Sequence, residues 1–142
     1  MKTIKQIRYE SSDFALAHKI RVEVFVEEQR CPIELELDDH DQTALHLLVF
    51  DGGLPVGCGR LLTFPEYSQI GRVAVLKEKR GEGFGRLICE KLLEIAVKNG
   101  AKKVILHAQC QAVKFYEQLG FVAEGEIFDD CGIDHISMVK II

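Results

Sequence analysis

At 142 residues, 47% apolar and 28% charged with three prolines, the chain holds one core's worth of material, which excludes a disordered or low-complexity protein. A net charge of −4 and a pI near 5.7 exclude general nucleic-acid binding, which needs a concentrated basic face. No apolar run approaches the length of a membrane span, and the opening MKTIKQIRYESSD lacks the apolar stretch of a signal peptide, so the expectation is a cytoplasmic protein without membrane contact.

Ile4 to Tyr9 alternate apolar and polar, which predicts a half-buried strand, and Ser11, Ser12 and Asp13 then offer oxygens to cap a helix. In that helix Phe14, Ala17, Ile20 and Val24 form one stripe, with His18, Arg21 and Glu28 on other faces and the polar side bordering a site. Beyond Pro32, Glu34 to Asp41 carries five carboxylates. They read either as a solvated loop or as a field that draws a cationic substrate. Ala44 to Phe50 and Pro55 to Phe64 read as strands joined through Asp51-Gly52-Gly53, a hairpin turn, and Ser68 to Val75 as a third strand.

Next comes Lys79 to Ile88, KRGEGFGRLI, with glycines at 81, 83 and 85. From Phe84 the apolar positions Leu87, Ile88, Leu92, Ile95 and Ala96 keep helical spacing until Asn99-Gly100 stops it. Val104 to Leu106 is a short buried strand, so strand, helix and strand form a right-handed parallel crossover. Ala112 to Leu119 reads as a second short helix closed by Gly120, and Phe121 to Phe128 with His135 to Ile141 as a hairpin around Asp129 to Gly132. The predicted fold is a single α/β (α+β) domain over residues 1–142: a mixed, mostly antiparallel sheet flanked by helices, with one parallel β-α-β crossover.

The five cysteines, Cys31, Cys58, Cys89, Cys110 and Cys131, show neither a CxxC pair nor zinc-ligand spacing. They read as reduced thiols, and no metal is expected.

The glycine stretch joins a strand to a helix start, where bare backbone and orphan N–H groups make an anion site. A dinucleotide fingerprint fails because Arg86 follows Gly85 and Lys102 and Lys103 stand where an acid is needed, and a P-loop fails at the same arginine. What remains, Arg80-Gly81-Glu82-Gly83-Phe84-Gly85, contains R-x-x-G-x-G and resembles the acetyl-CoA signature of the GCN5-related N-acetyltransferases, the GNAT family. Gln109-x-x-Ala112-x-x-Phe115-Tyr116-Glu117-x-x-Gly120-Phe121 is similar to that family's later motif, with Gln109 in place of the usual Asn. The opening helix, the acidic stretch and Gly132-Ile133-Asp134-His135 resemble a small bacterial, single-domain subgroup.

The resemblance implies an acetyl-CoA-dependent N-acetyltransferase acting on a primary amine, a small molecule or a protein, with no metal, and it admits a homodimer. It places the pyrophosphate on Arg80, Gly81, Glu82, Gly83, Phe84, Gly85 and Arg86, with Lys77 and Lys79 near enough to add charge. It sets pantetheine along Val73, Ala74 and Val75, adds Gln109 and Phe115 to the cofactor site, and makes Tyr116 the general acid toward the departing thiolate. Candidate bases are His46, His107, His135 and Glu28, the last through water. Cys110 has no paired base, so direct transfer is expected rather than an acyl-enzyme. The alternative is a non-catalytic acyl-CoA-binding regulatory module.

Overall fold

The computed structural model describes residues 1–142. Its seven strands form one sheet in the order β1-β2-β3-β4-β5-β7-β6, with β1 at Lys2–Ile7, β2 at Leu45–Asp51, β3 at Leu54–Thr63, β4 at Tyr67–Val75, β5 at Lys103–Gln109, β6 at Val122–Asp130 and β7 at Ile133–Ile141. Only β4 and β5 run parallel; the helix between them is the predicted crossover. Asp51 pairs with Leu54 across Gly52 and Gly53, both at positive φ, which is the hairpin turn the sequence calls for.

Strand periodicity divides the core. Leu47 and Val49 of β2 join the cluster under helix α2 (Phe84–Lys98), whereas Leu48 between them joins Ala17, Ile20 and Val24 on the opposite face. Helix α1 (Phe14–Arg21) covers that second face and widens into a π-helical stretch, Val22–Glu28. The short helix α3 (Val113–Glu117) leads into Leu119 and Phe121, which belong to the α2 side. The α2 stripe sits close on the sheet because β3 carries glycine beneath it. A Cβ on Gly59 would lie 2.7 Å from Ile88 and 3.1 Å from Leu92, so any side chain there would lift the start of α2.

Two expectations for the first helix change. Asp13 makes no capping hydrogen bond; its carboxylate takes the Lys5 ammonium at 2.6 Å instead. Arg21, expected off the apolar stripe on the polar side that borders a site, is 1% exposed. Its Nε donates to Glu36, and its two terminal nitrogens donate to the Asp41 carboxylate at 2.8 and 3.0 Å. Arg60 donates to Asp38 at 2.7 and 2.9 Å and to Asp41 at 2.9 Å, and Arg72 donates to Asp38 at 3.3 Å and to the Glu36 carbonyl at 3.0 Å. Three of the five acidic side chains are thus paired with arginines, and Glu36 and Asp41 are buried, which corrects both readings of Glu34 to Asp41, the solvated loop and the open field for a cationic substrate. Burying a carboxylate without a partner costs several kcal/mol, so Glu36 and Asp41 can sit inside the protein only with the arginines opposite them.

Candidate functional site

β4 and β5 stay paired only from Tyr67 with Lys103 to Ile70 with Leu106. Beyond that point β4 continues beside β3 as far as Val75, while β5 continues beside β7 as far as Gln109. The strands splay, and the main-chain groups of residues 71 to 75 facing β5 lose their ladder partners. A bulge sharpens the divergence: Arg72 and Val73 together stand opposite Gly59, and Arg72 adopts φ +51°.

The splay opens a cleft of about 680 Å³ whose lining includes Val73, Ala74, Val75, Arg80, Gln109 and Tyr116. It adjoins a recess of about 230 Å³ lined by Lys79, Arg80, Gly81, Gly83, Phe84, Gly85, Arg86 and Phe115. Gly83 is the N-cap of α2 at φ +88°, a left-handed backbone that strains any residue with a Cβ, and no side chain caps the helix. The orphan N–H groups of the first turn therefore open onto the recess, and the helix dipole favours an anion there. Glu82 contributes its carbonyl to the Lys2 ammonium, and Lys2 also lies 4.7 Å from the centre of the Phe84 ring.

Three of the four cations expected around the loop, all but Lys77, already have partners. Lys79 bonds Asp51 at 3.0 Å, Arg86 bonds Glu90 at 3.2 Å, and Arg80 forms a two-pronged pair with Glu28 at 2.6 and 2.7 Å while donating from Nε to the Val75 carbonyl. Arg80 thus spans from the glycine loop to the end of the π-helical stretch. Its hydrogen bonds hold the Glu28 carboxyl below its ordinary value, which makes Glu28 a weak base.

Of the other candidates, His107 and His135 line the cleft, on either side of Phe128: the His107 ring meets it edge-on at 5.3 Å and the His135 ring stacks at 5.8 Å. His46 does not reach the cleft. It is 2% exposed under α1, edge-on to Phe14, and donates from Nε2 to the Asp41 carbonyl at 2.8 Å, which corrects its candidacy as a base. Burial also lowers its pKa.

Tyr116 is half-buried between Phe115 and Phe121, with ring centres at 5.0 and 6.1 Å, both edge-on. Burial, reinforced by Cys89, pushes its phenol well above the ordinary value, so it stays protonated across the working pH range. Gln109 donates from its amide to Gln29 at 2.9 Å, tying the end of β5 to the segment after the π-helical stretch. Gln29, Arg72, Cys31 and Cys131 also line the cleft without having been singled out as site residues; no local pattern marks them. The two cysteines are joined as a disulfide, which corrects the expectation of five reduced thiols. Cys58 and Cys89 are buried thiols pushed up to about 12 by burial, and Cys110 is free.

This geometry of splayed parallel strands, a bulge and an open glycine-capped helix meets a direct match in sequence. The Acetyltransferase (GNAT) domain family matches residues 9–142. The chain belongs to the GNAT acetyltransferase family. It is 42% identical over 125 residues to the uncharacterized N-acetyltransferase YjcF of Bacillus subtilis (strain 168), covering 87% of this chain and 89% of that protein. The crystal structure of Escherichia coli ElaA superposes with a TM-score of 0.88 at 30% identity over 99% of each chain, as does an acyl-CoA N-acyltransferase from Pseudomonas aeruginosa at 29% identity and TM-score 0.88. A Neisseria gonorrhoeae N-acetylglutamate synthase complexed with coenzyme A and N-acetyl-glutamate shares the fold, with a TM-score of 0.73 at 16% identity over 98% of this chain and 35% of that one. GNAT enzymes use acetyl-CoA and act on amine acceptors, so this GNAT protein is an acyltransferase. No helix in it is long and apolar enough to cross a membrane.

Proposed function

We propose that residues 1–142 form a single N-acetyltransferase domain that moves the acetyl group of acetyl-CoA directly to a primary amine. The observation that carries this reading is the splay. It leaves the β4 main chain from Gly71 to Val75 without a β5 partner, with Arg80 on the Val75 carbonyl, and so open to the amides of a pantetheine arm between an uncapped helix start and the Tyr116 phenol. In this reading the N–H groups of residues 81 to 86 take the pyrophosphate and Arg80 exchanges Glu28 for it. Phe115, against Gly85, closes the recess, and Gln109 orders the wall opposite β4.

The amine attacks the thioester carbonyl carbon, a β4 N–H at Val73 or Val75 stabilises the developing oxyanion, and the C–S bond breaks as the thiolate takes the Tyr116 proton. His107 and His135 are the two bases placed to receive the ammonium proton, since Glu28 is held as a carboxylate by Arg80 and His46 lies elsewhere. The acceptor is a primary amine whose charge the acidic loop does not select.

The test is CoA release by the intact protein with acetyl-CoA and a panel of polyamines, amino sugars, amino acids and lysine peptides. Amine-dependent release above the hydrolytic background supports the proposal, and none across the panel overturns it. For the cofactor loop, Gly83→Val forces a β-branched residue to φ +88° and misaligns the first-turn N–H groups. Calorimetry should show acetyl-CoA binding weakened by about ten- to a hundredfold. Unchanged affinity would remove the loop from the cofactor site.

A further inference from the structure

One end of the larger cleft is walled by two segments far apart in sequence. The first follows the π-helical stretch, where Arg30 turns the chain at φ +65° and the Cys31 N–H donates to the Phe25 carbonyl at 2.9 Å. The second is the two-residue turn between β6 and β7, where Cys131 and Gly132 adopt φ +54° and +78° and the Gly132 N–H is held by Asp129. Each local geometry fixes the direction of its cysteine. Their Cα atoms are 5.2 Å apart across a sequence separation of 100, well inside the range a disulfide spans. Both residues line the cleft and neither lines the glycine-loop recess.

The first wall is tied to β5 by the Gln29–Gln109 hydrogen bond and the second to β7 by its ladder, but no hydrogen bond joins the two walls to each other. β6 is an edge strand exposed along most of its length, and residues 29 to 32 have no regular structure. Segments of this kind open locally at small cost, so one covalent link changes their freedom more than it would change a core strand's.

We propose that Cys31 and Cys131 are a redox-modifiable pair that sets the width of the acceptor end of the cleft. Joined, they staple the segment after the π-helical stretch to the β6–β7 turn. Reduced, they let the walls part and admit bulkier amines. The oxidant is a low-molecular-weight disulfide. One cysteine thiolate attacks it and releases one small thiol, forming a mixed disulfide; the second cysteine thiolate then displaces the other small thiol. Two electrons and two protons leave the cysteine pair, and the small disulfide becomes two thiols. Cys58 and Cys89 are fully buried and stay outside this exchange. That the walled end receives the acceptor rests on the acyl-transfer reading above; the pairing and its mechanical effect do not.

The experiment equilibrates the full chain with glutathione disulfide or with reduced glutathione, then reads four quantities. Alkylation and peptide mapping should give one cross-link, Cys31 to Cys131, in the oxidised sample. Reduction should lower Tm by about 5–15 °C, as expected for opening a loop of this length. It should also raise deuterium uptake in residues 29–36 and 126–132, and Cys31→Ser should make both readings insensitive to glutathione. The KM of an amine found in the panel should differ at least about threefold between the two forms while the Kd for CoA stays within about twofold. Absence of the cross-link, or a cross-link that leaves Tm and uptake unchanged, overturns the staple. An unchanged KM overturns its acceptor role. Failure of every amine in the panel instead counts against the acyl-transfer reading, and mapping, Tm and uptake still decide the staple.

Discussion

Replacing Tyr116 with phenylalanine should lower kcat by about ten- to a thousandfold while the Kd for acetyl-CoA stays within about twofold. The ring's position depends on edge-on packing with Phe115 and Phe121, which phenylalanine preserves, so the substitution removes the hydroxyl alone. Burial and the neighbouring Cys89 raise the pKa of that hydroxyl, so it carries its proton at working pH as a weaker acid than a free phenol and gives it up only to the charge developing on the departing sulfur. In this mechanism the hydroxyl acts only as the C–S bond breaks, protonating the departing thiolate, so the loss falls on kcat and not on cofactor binding. Steady-state kinetics beside calorimetry separates the two. A kcat equal to wild type would remove Tyr116 from the mechanism.

The second large effect is on stability. Arg21→Met should destabilise the protein by about 3–5 kcal/mol, because it leaves Glu36 and Asp41 buried without their main partner. For a domain of this size the Tm falls by about 10–20 °C. The pH dependence identifies the cause. Burial alone would raise the Asp41 carboxyl, but the Arg21 hydrogen bonds, the Asp38 N–H and the charges of Arg21 and Arg60 outweigh it and hold the group well below the ordinary carboxylate range. A depressed folded pKa contributes stability above the unfolded value near 3.9 and loses it as pH falls toward the folded one. Wild-type Tm should therefore be level from pH 7 to 5 and decline below about 4. Without Arg21 the Asp41 carboxyl loses the hydrogen bonds and charge that offset its burial most, so the gap between variant and wild type is widest at neutral pH and narrows as acid protonates that group. A gap independent of pH would mean that Arg21 acts through packing rather than charge.

Much of the fold was legible because short-range rules govern it. The α2 stripe, its Asn99-Gly100 stop, the Gly52-Gly53 turn and the parallel crossover each follow from residues within one or two elements. The glycine loop was legible for the same reason, since its chemistry is that of its own backbone. What was not legible depends on partners brought from afar. Arg21 reads as a polar-side residue of the helix until Glu36 and Asp41 are brought against it. His46, His107 and His135 look alike in sequence, and only register and the α1 cover separate the buried one from the two in the cleft. Cys31 and Cys131 carry no spacing signal at all. The three acids at 36, 38 and 41 and the arginines at 21, 60 and 72 could have been matched as equal and opposite sets, but nothing local says that they meet.

In the proposed function the splayed strands and the glycine-capped helix together hold acetyl-CoA. A crystal structure of the complex with CoA tests it most directly. Pyrophosphate oxygens should lie within hydrogen-bonding distance of the N–H groups of residues 81 to 86, pantetheine should pair with the β4 main chain between Val73 and Val75, and the sulfur should sit beside the Tyr116 hydroxyl. A cofactor bound away from the α2 N-terminus, or with its sulfur remote from Tyr116, would contradict it.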